Sequence, residues 1–184
     1  MTTRTKRNLY ILTAILAFVT AALFVYCHFY WNYALFCLAV TLLTTLTHFL
    51  IRVSLANLII SLVPGALSPN RDWFKERPFE KKLYRLLQVK KWKSLLPTWH
   101  DDDFDLQKSD KETLLFFMRK AEVYHALCIA LSFLPLVYAA FFGKFQIFLW
   151  TSVAGALFDL LFVILQRYNR PRVMRLRQAD TAVF

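Results

Sequence analysis

Residues 145–172 read FQIFLWTSVAGALFDLLFVILQRYNRPR. From Phe145 to Leu165 the run is apolar and long enough to cross a bilayer, since about 20 residues at ~1.5 Å rise each span the hydrocarbon. It then ends in Gln166-Arg167-Tyr168-Asn169-Arg170-Pro171-Arg172, which sets three arginines and two amides at the membrane edge. An edge of that kind can bind anions and hydroxyl groups.

Working outward, three further stretches qualify as spans: Leu9 to Phe29, Tyr33 to Val63, and Val123 to Phe142. The chain has 184 residues, of which 58% are hydrophobic and 17% aromatic, a composition outside that of a soluble domain. The fold expected is all-α: a polytopic membrane helix bundle with about four transmembrane helices and a cytoplasmic amphipathic helix. Residues 1–184 are read as a single integral membrane domain that contains a cytoplasmic loop at 66–112. Arg4, Lys6 and Arg7 before the first run resemble a signal peptide, but Tyr26, Cys27, His28 and Phe29 offer no small-residue cleavage site.

The formal charge is +11. Basic residues lie before the first span, between Arg71 and Lys111, and after the last span; the hairpin following the third carries only Lys144. The positive-inside rule therefore predicts a multi-pass cell-membrane protein with both termini cytoplasmic. It also explains the charge without nucleic acid. Cys27, Cys37 and Cys128 lie in or beside apolar runs with no metal-ligand spacing, so they are read as buried thiols.

The second stretch exceeds one upright helix and contains Arg52, whose placement near the bilayer centre costs about 2.5–3.5 kcal/mol. The expectation is a span ending near Ile51, with Arg52 at the cytoplasmic edge. Ser54 to Val63 then forms an interfacial or re-entrant piece ending at Pro64-Gly65. In the loop, Phe79, Leu83, Leu86 and Leu87 repeat at helical spacing among Lys81, Lys82, Arg85, Lys90 and Lys91. That pattern predicts a basic amphipathic helix from Pro78 to Trp92 lying on the leaflet. Asp101, Asp102, Asp103 and Asp105 concentrate acid after His100, and such a run serves as a solvated turn or as hard oxygen ligands for a cation.

Glu122 and His125 are three apart, so on a helix they share a face, and the carboxylate can orient the imidazole as a general base. If the hairpin turns near Gly143, Glu122 lies at the depth of Ile164, with Gln166, Arg167 and Tyr168 in reach. Both polar clusters then line one pocket. Asp159, about two turns inside the last span, is a candidate for the site or for supporting it, and a protonated side chain or a hydrogen bond to Thr44, Thr45, Thr47 or His48 of another span stays equally open.

These residues resemble a known family. Val89-Lys90-Lys91-Trp92-Lys93, Lys120-Ala121-Glu122 with His125, and Gln166 to Arg172 occur in the order found in glycosyl-4,4'-diaponeurosporenoate acyltransferases of staphyloxanthin-type carotenoid synthesis. The resemblance covers roughly Phe74 to Leu176, and departs at Lys120, where arginine is expected, and at Ala126, where tryptophan is common. It implies transfer of a fatty acyl group to a sugar hydroxyl of a glycosylated apocarotenoid. The partners implied are membrane lipids, an activated donor such as acyl-CoA as substrate, and a glycosylated lipid acceptor, with no bound cofactor and no metal.

The mechanism expected makes His125 the base and Glu122 its orienting group. Arg167, Arg170 and Arg172 hold the donor phosphate or developing charge, and Asn169 positions the sugar. Gln166, Tyr168, Lys91, Trp92, Lys93 and Lys120 complete the binding set. Three alternatives stay open: an acyltransferase acting on another glycolipid, a noncatalytic lipid-binding protein anchored by its arginines, and a di-iron oxidoreductase using Glu-x-x-His. The last needs the motif repeated, and this chain has one copy, with only His28, His48 and His100 besides.

Overall fold

The structure is a computed structural model that describes residues 3–96 and 110–181, with side chains described at 7–96 and 110–175. The described residues form helices and turns, with no strand among them. In chain order the α-helices are α1 (Thr3–Phe29), α2 (Tyr33–Leu50), α3 (Ala56–Leu62), α4 (Glu80–Leu86), α5 (Val89–Trp92), α6 (Lys111–Leu131), α7 (Ala139–Phe142) and α8 (Phe145–Thr181). Among the described residues, four helical segments of 23 to 32 residues are long and apolar enough to cross a membrane. The fold is therefore all-α, as expected.

The chain divides into two units, 1–58 with 128–158 and 59–127 with 159–184. In the first, Asn32 caps α2 by accepting from the Leu35 N–H at 3.1 Å. Phe24 of α1 stacks on Phe142 at 5.5 Å and meets Phe36 of α2 edge-on at 6.4 Å. Ala39, Val40, Cys128 and Phe148 are buried here. Phe18 and Phe141, by contrast, are 76% and 77% exposed, which suits lipid contact rather than water. The turn falls at Gly143, as the hairpin argument required: its φ of 69° is a conformation that glycine adopts at little cost, and it ends α7.

The break expected at Arg52 is absent. Ile51–Leu55 forms a π-turn that joins α2 to α3, the Ala56 N–H donating to the Ile51 carbonyl, so the helix runs on to Leu62. Ser54 to Val63 is thus no separate re-entrant piece. The reason lies in the arginine itself, which donates to the His48 carbonyl at 3.0 Å and to the Gly155 carbonyl at 3.1 Å. With those bonds made, its charge does not force the chain out of the helix. Gly155 leaves the room: a Cβ there would meet Arg52 Nη2 at 3.2 Å and Ser132 Oγ at 3.3 Å.

In the second unit, Leu114, Leu115 and Met118 of α6 pack with Val173 of α8. Here α6 begins at Lys111, twelve residues before the expected start at Val123, and ends ahead of a 3-10 segment at Leu134–Tyr138 that contains Pro135. Glu122 and His125 consequently lie mid-helix. The single helix expected from Pro78 to Trp92 is also two, because Gln88 takes a left-handed conformation at φ 51° between α4 and α5. Its apolar stripe faces outward: Phe79 and Leu86 are 61% and 79% exposed, while Glu80 and Val89 are buried. An ionic partner for Glu80, described below, outweighs the helical pattern. The acidic run 101–105, with the cation binding weighed for it, lies outside the described residues.

Candidate active site

The second unit gathers Glu80, Glu122, His125, Asp159, Arg167 and Arg170. Helix α8 presents Asp159, Phe162, Gln166 and Arg170 at spacings of three and four, which is one helical face. All four are buried. Helix α6 presents Glu122 and His125 to it.

His125 Nδ1 lies 2.8 Å from Asp159 Oδ1, and its ring stacks on Phe162 with centroids 4.6 Å apart and planes 11° from parallel. An ionised carboxylate only accepts, so in a neutral imidazole bonded to one, Nδ1 carries the hydrogen and Nε2 the lone pair. The carboxylate bonded to His125 is therefore Asp159, where the sequence reading expected Glu122. Helical spacing brought Glu122 near, but guanidinium groups are the stronger partners for a buried carboxylate. The threonine hydroxyls considered for Asp159 donate elsewhere: those of Thr44, Thr45 and Thr47 bond to carbonyls one turn back at 2.9 Å.

Glu122 is fully buried and receives both arginines. Arg167 Nη1 donates to its Oε1 at 2.7 Å, and Arg170 Nε to its Oε2 at 3.2 Å. Arg167 also bonds Glu80 Oε1 through Nε and Nη2, the former at 3.0 Å. Loop carbonyls take the remaining donors: Trp73 and Lys75 accept from Arg167 at 2.7 and 3.2 Å, and Phe74 accepts from Arg170 Nη1. The hairpin argument thus paired the right residues, while the role expected of the arginines changes. Arg167 and Arg170 are spent on internal acceptors and fasten residues 73–75 to α6 and α8.

Tyr84 donates to Glu80 Oε2 at 2.8 Å. Burial first, and then that bond to Glu80, push its phenol above the usual tyrosine range. Asp72, at the start of the same loop, is held below the usual carboxylate range by its bond to Lys75.

The rest of the expected binding set is split. Tyr168 is surrounded by Tyr84, Lys93 and Arg172, the last with its guanidinium 3.6 Å from the ring centroid. Asn169 is half-buried, and among the described residues its amide makes no hydrogen bond. Trp92 is spent on the Leu87 carbonyl at 2.9 Å, while Lys91 and Lys120 are exposed. Sequence reasoning missed Glu80 and Phe162. Glu80 is one acid in a lysine-rich loop with no spacing to mark it, whereas Phe162 could have been found three residues after Asp159 on the same face. No group of three His, Cys, Asp or Glu converges among the described residues. The carboxylate that a di-iron site would need from Glu122 is bonded by arginines instead.

A membrane helix protein with a buried His–Asp pair beside an arginine–carboxylate cluster is the class that fold and site define. The chain belongs to the glycosyl-4,4'-diaponeurosporenoate acyltransferase family, which it matches over residues 70–179. It is an acyltransferase of carotenoid biosynthesis by that membership. No curated protein and no solved structure matches it.

Proposed function

We propose that this chain is a membrane O-acyltransferase that moves a fatty acyl group onto a sugar hydroxyl of a glycosylated apocarotenoid. The observation that carries the reading is the His125–Asp159 pair, which sits inside the family-matched segment. His125 Nε2 takes the hydroxyl proton, and the sugar oxygen attacks the acyl carbonyl of an activated donor such as acyl-CoA. As the tetrahedral intermediate collapses, the thiolate leaves and accepts the proton from the imidazolium. Asp159 fixes the tautomer and stabilises the imidazolium, the part a carboxylate plays in a Ser–His–Asp triad. Asn169 is free to donate to and accept from the sugar.

The Glu122–Arg167–Arg170 cluster serves this site by position. It ties residues 73–75 to the helices that carry His125 and Asp159. The protein acts in the cell membrane with both termini cytoplasmic, which the asymmetry of basic residues supports.

The test is acyl transfer by the purified chain in lipid, given acyl-CoA and a glycosyl-4,4'-diaponeurosporenoate, with the products read by mass spectrometry. A single acyl ester on the sugar is the expected product. Acylation of a different glycolipid, with the apocarotenoid glycoside left untouched, would move the acceptor. No ester on any glycolipid would remove the reading.

A further inference from the structure

Tyr168 is the one aromatic residue of the Gln166–Arg172 segment, and two cations lie over it. The Arg172 guanidinium is 3.6 Å from the ring centroid and Lys93 Nζ is 5.5 Å from it. The two charges can therefore be no farther apart than those distances combined. Tyr84 meets the same ring edge-on at 5.4 Å and 90°, and its own hydroxyl is tied to Glu80, which helps hold the platform in place.

Two like charges at one ring repel, and an aromatic face returns only about 0.5–1 kcal/mol per cation at exposed sites. A carboxylate would normally resolve the conflict. Arg167 and Arg170 have Glu80 and Glu122. Among the described residues, neither Lys93 nor Arg172 forms an ion pair, and exposed Lys90 and Lys91 on α5 add charge of the same sign.

We infer that Lys93 and Arg172, set on the Tyr168 ring, form a phosphate-binding subsite. Arg172 offers a planar fork for two phosphate oxygens, and Lys93 a point charge for a third. This rests on the acyl-transfer reading and moves its anion site from the buried Arg167 and Arg170 to the half-buried Lys93 and the exposed Arg172. The phosphates come either from the nucleotide end of an acyl-CoA or from the headgroup of an anionic phospholipid.

The experiment uses the full chain in phosphatidylcholine nanodiscs, titrated calorimetrically with coenzyme A. Arg172→Gln and Lys93→Gln are each expected to weaken binding about tenfold, the worth of one charge-assisted hydrogen bond, and Arg172→Lys to recover part of it. Both side chains lie outside the buried cluster, so the melting temperature should hold. A parallel arm measures enrichment of phosphatidylglycerol around the chain in mixed nanodiscs. Loss of that enrichment in the variants, with coenzyme A affinity unchanged, assigns the subsite to lipid. Variants that match the wild type in both arms overturn the inference. Binding is read without turnover, so a chain that binds coenzyme A through these residues yet transfers no acyl group keeps the subsite and loses the reaction.

Discussion

The imidazole of His125 is bonded to the Asp159 carboxylate, stacked on Phe162 and met edge-on by Tyr124. An amide at 159 can donate to Nδ1 and so reverse the tautomer, placing the hydrogen on Nε2, where the lone pair is needed. Asp159→Asn is therefore expected to lower kcat by about 100-fold or more while leaving the donor KM near its wild-type value. Steady-state kinetics on the folded variant decides the point; equal changes in kcat and KM would argue for a structural role. Glu122 belongs to a different kind of residue. Its loss leaves the buried Arg170 guanidinium without its carboxylate, while Arg167 keeps Glu80, so Glu122→Gln should destabilise the protein by about 3–5 kcal/mol. A large fall in thermal midpoint is expected, and an unchanged midpoint with lost activity would return Glu122 to the chemistry.

At the scale of the elements, what the sequence shows and hides follows from where each signal resides. The four long apolar helices were legible because a span is written in consecutive residues, and the Gly143 turn because it closes a hairpin between two of them. The pairing of Glu122 with Arg167 followed from that hairpin alone. Three boundaries were not legible. The π-turn at Arg52 depends on a carbonyl 103 residues away, at Gly155. The early start of α6 depends on packing of Leu114, Leu115 and Met118 against α8. The inward turn of Glu80 depends on Arg167, which no local pattern announces. The break at Gln88 is testable directly: a non-glycine residue at φ 51° costs about 1 kcal/mol, so Gln88→Gly should leave stability level or raised, while Gln88→Val should lower it. If both substitutions have the same effect, α4 and α5 are one helix.

For the molecule as a whole, the four candidate spans among the described residues, an even number, return the two ends to one side of the bilayer, and the orientation proposed from the basic residues makes that side the cytoplasm. Reporters fused to the two termini should therefore give the same cytoplasmic signal, and opposite signals would remove one span. Within that frame the family gives the reaction class, and the proposed mechanism takes its base from the His125–Asp159 pair. The acyl-transfer rate of the His125→Gln variant, folded and in lipid, bears on this most directly. A fall of about 100- to 10,000-fold is expected, the usual contribution of a positioned general base. Transfer at a near wild-type rate would contradict the role given to His125.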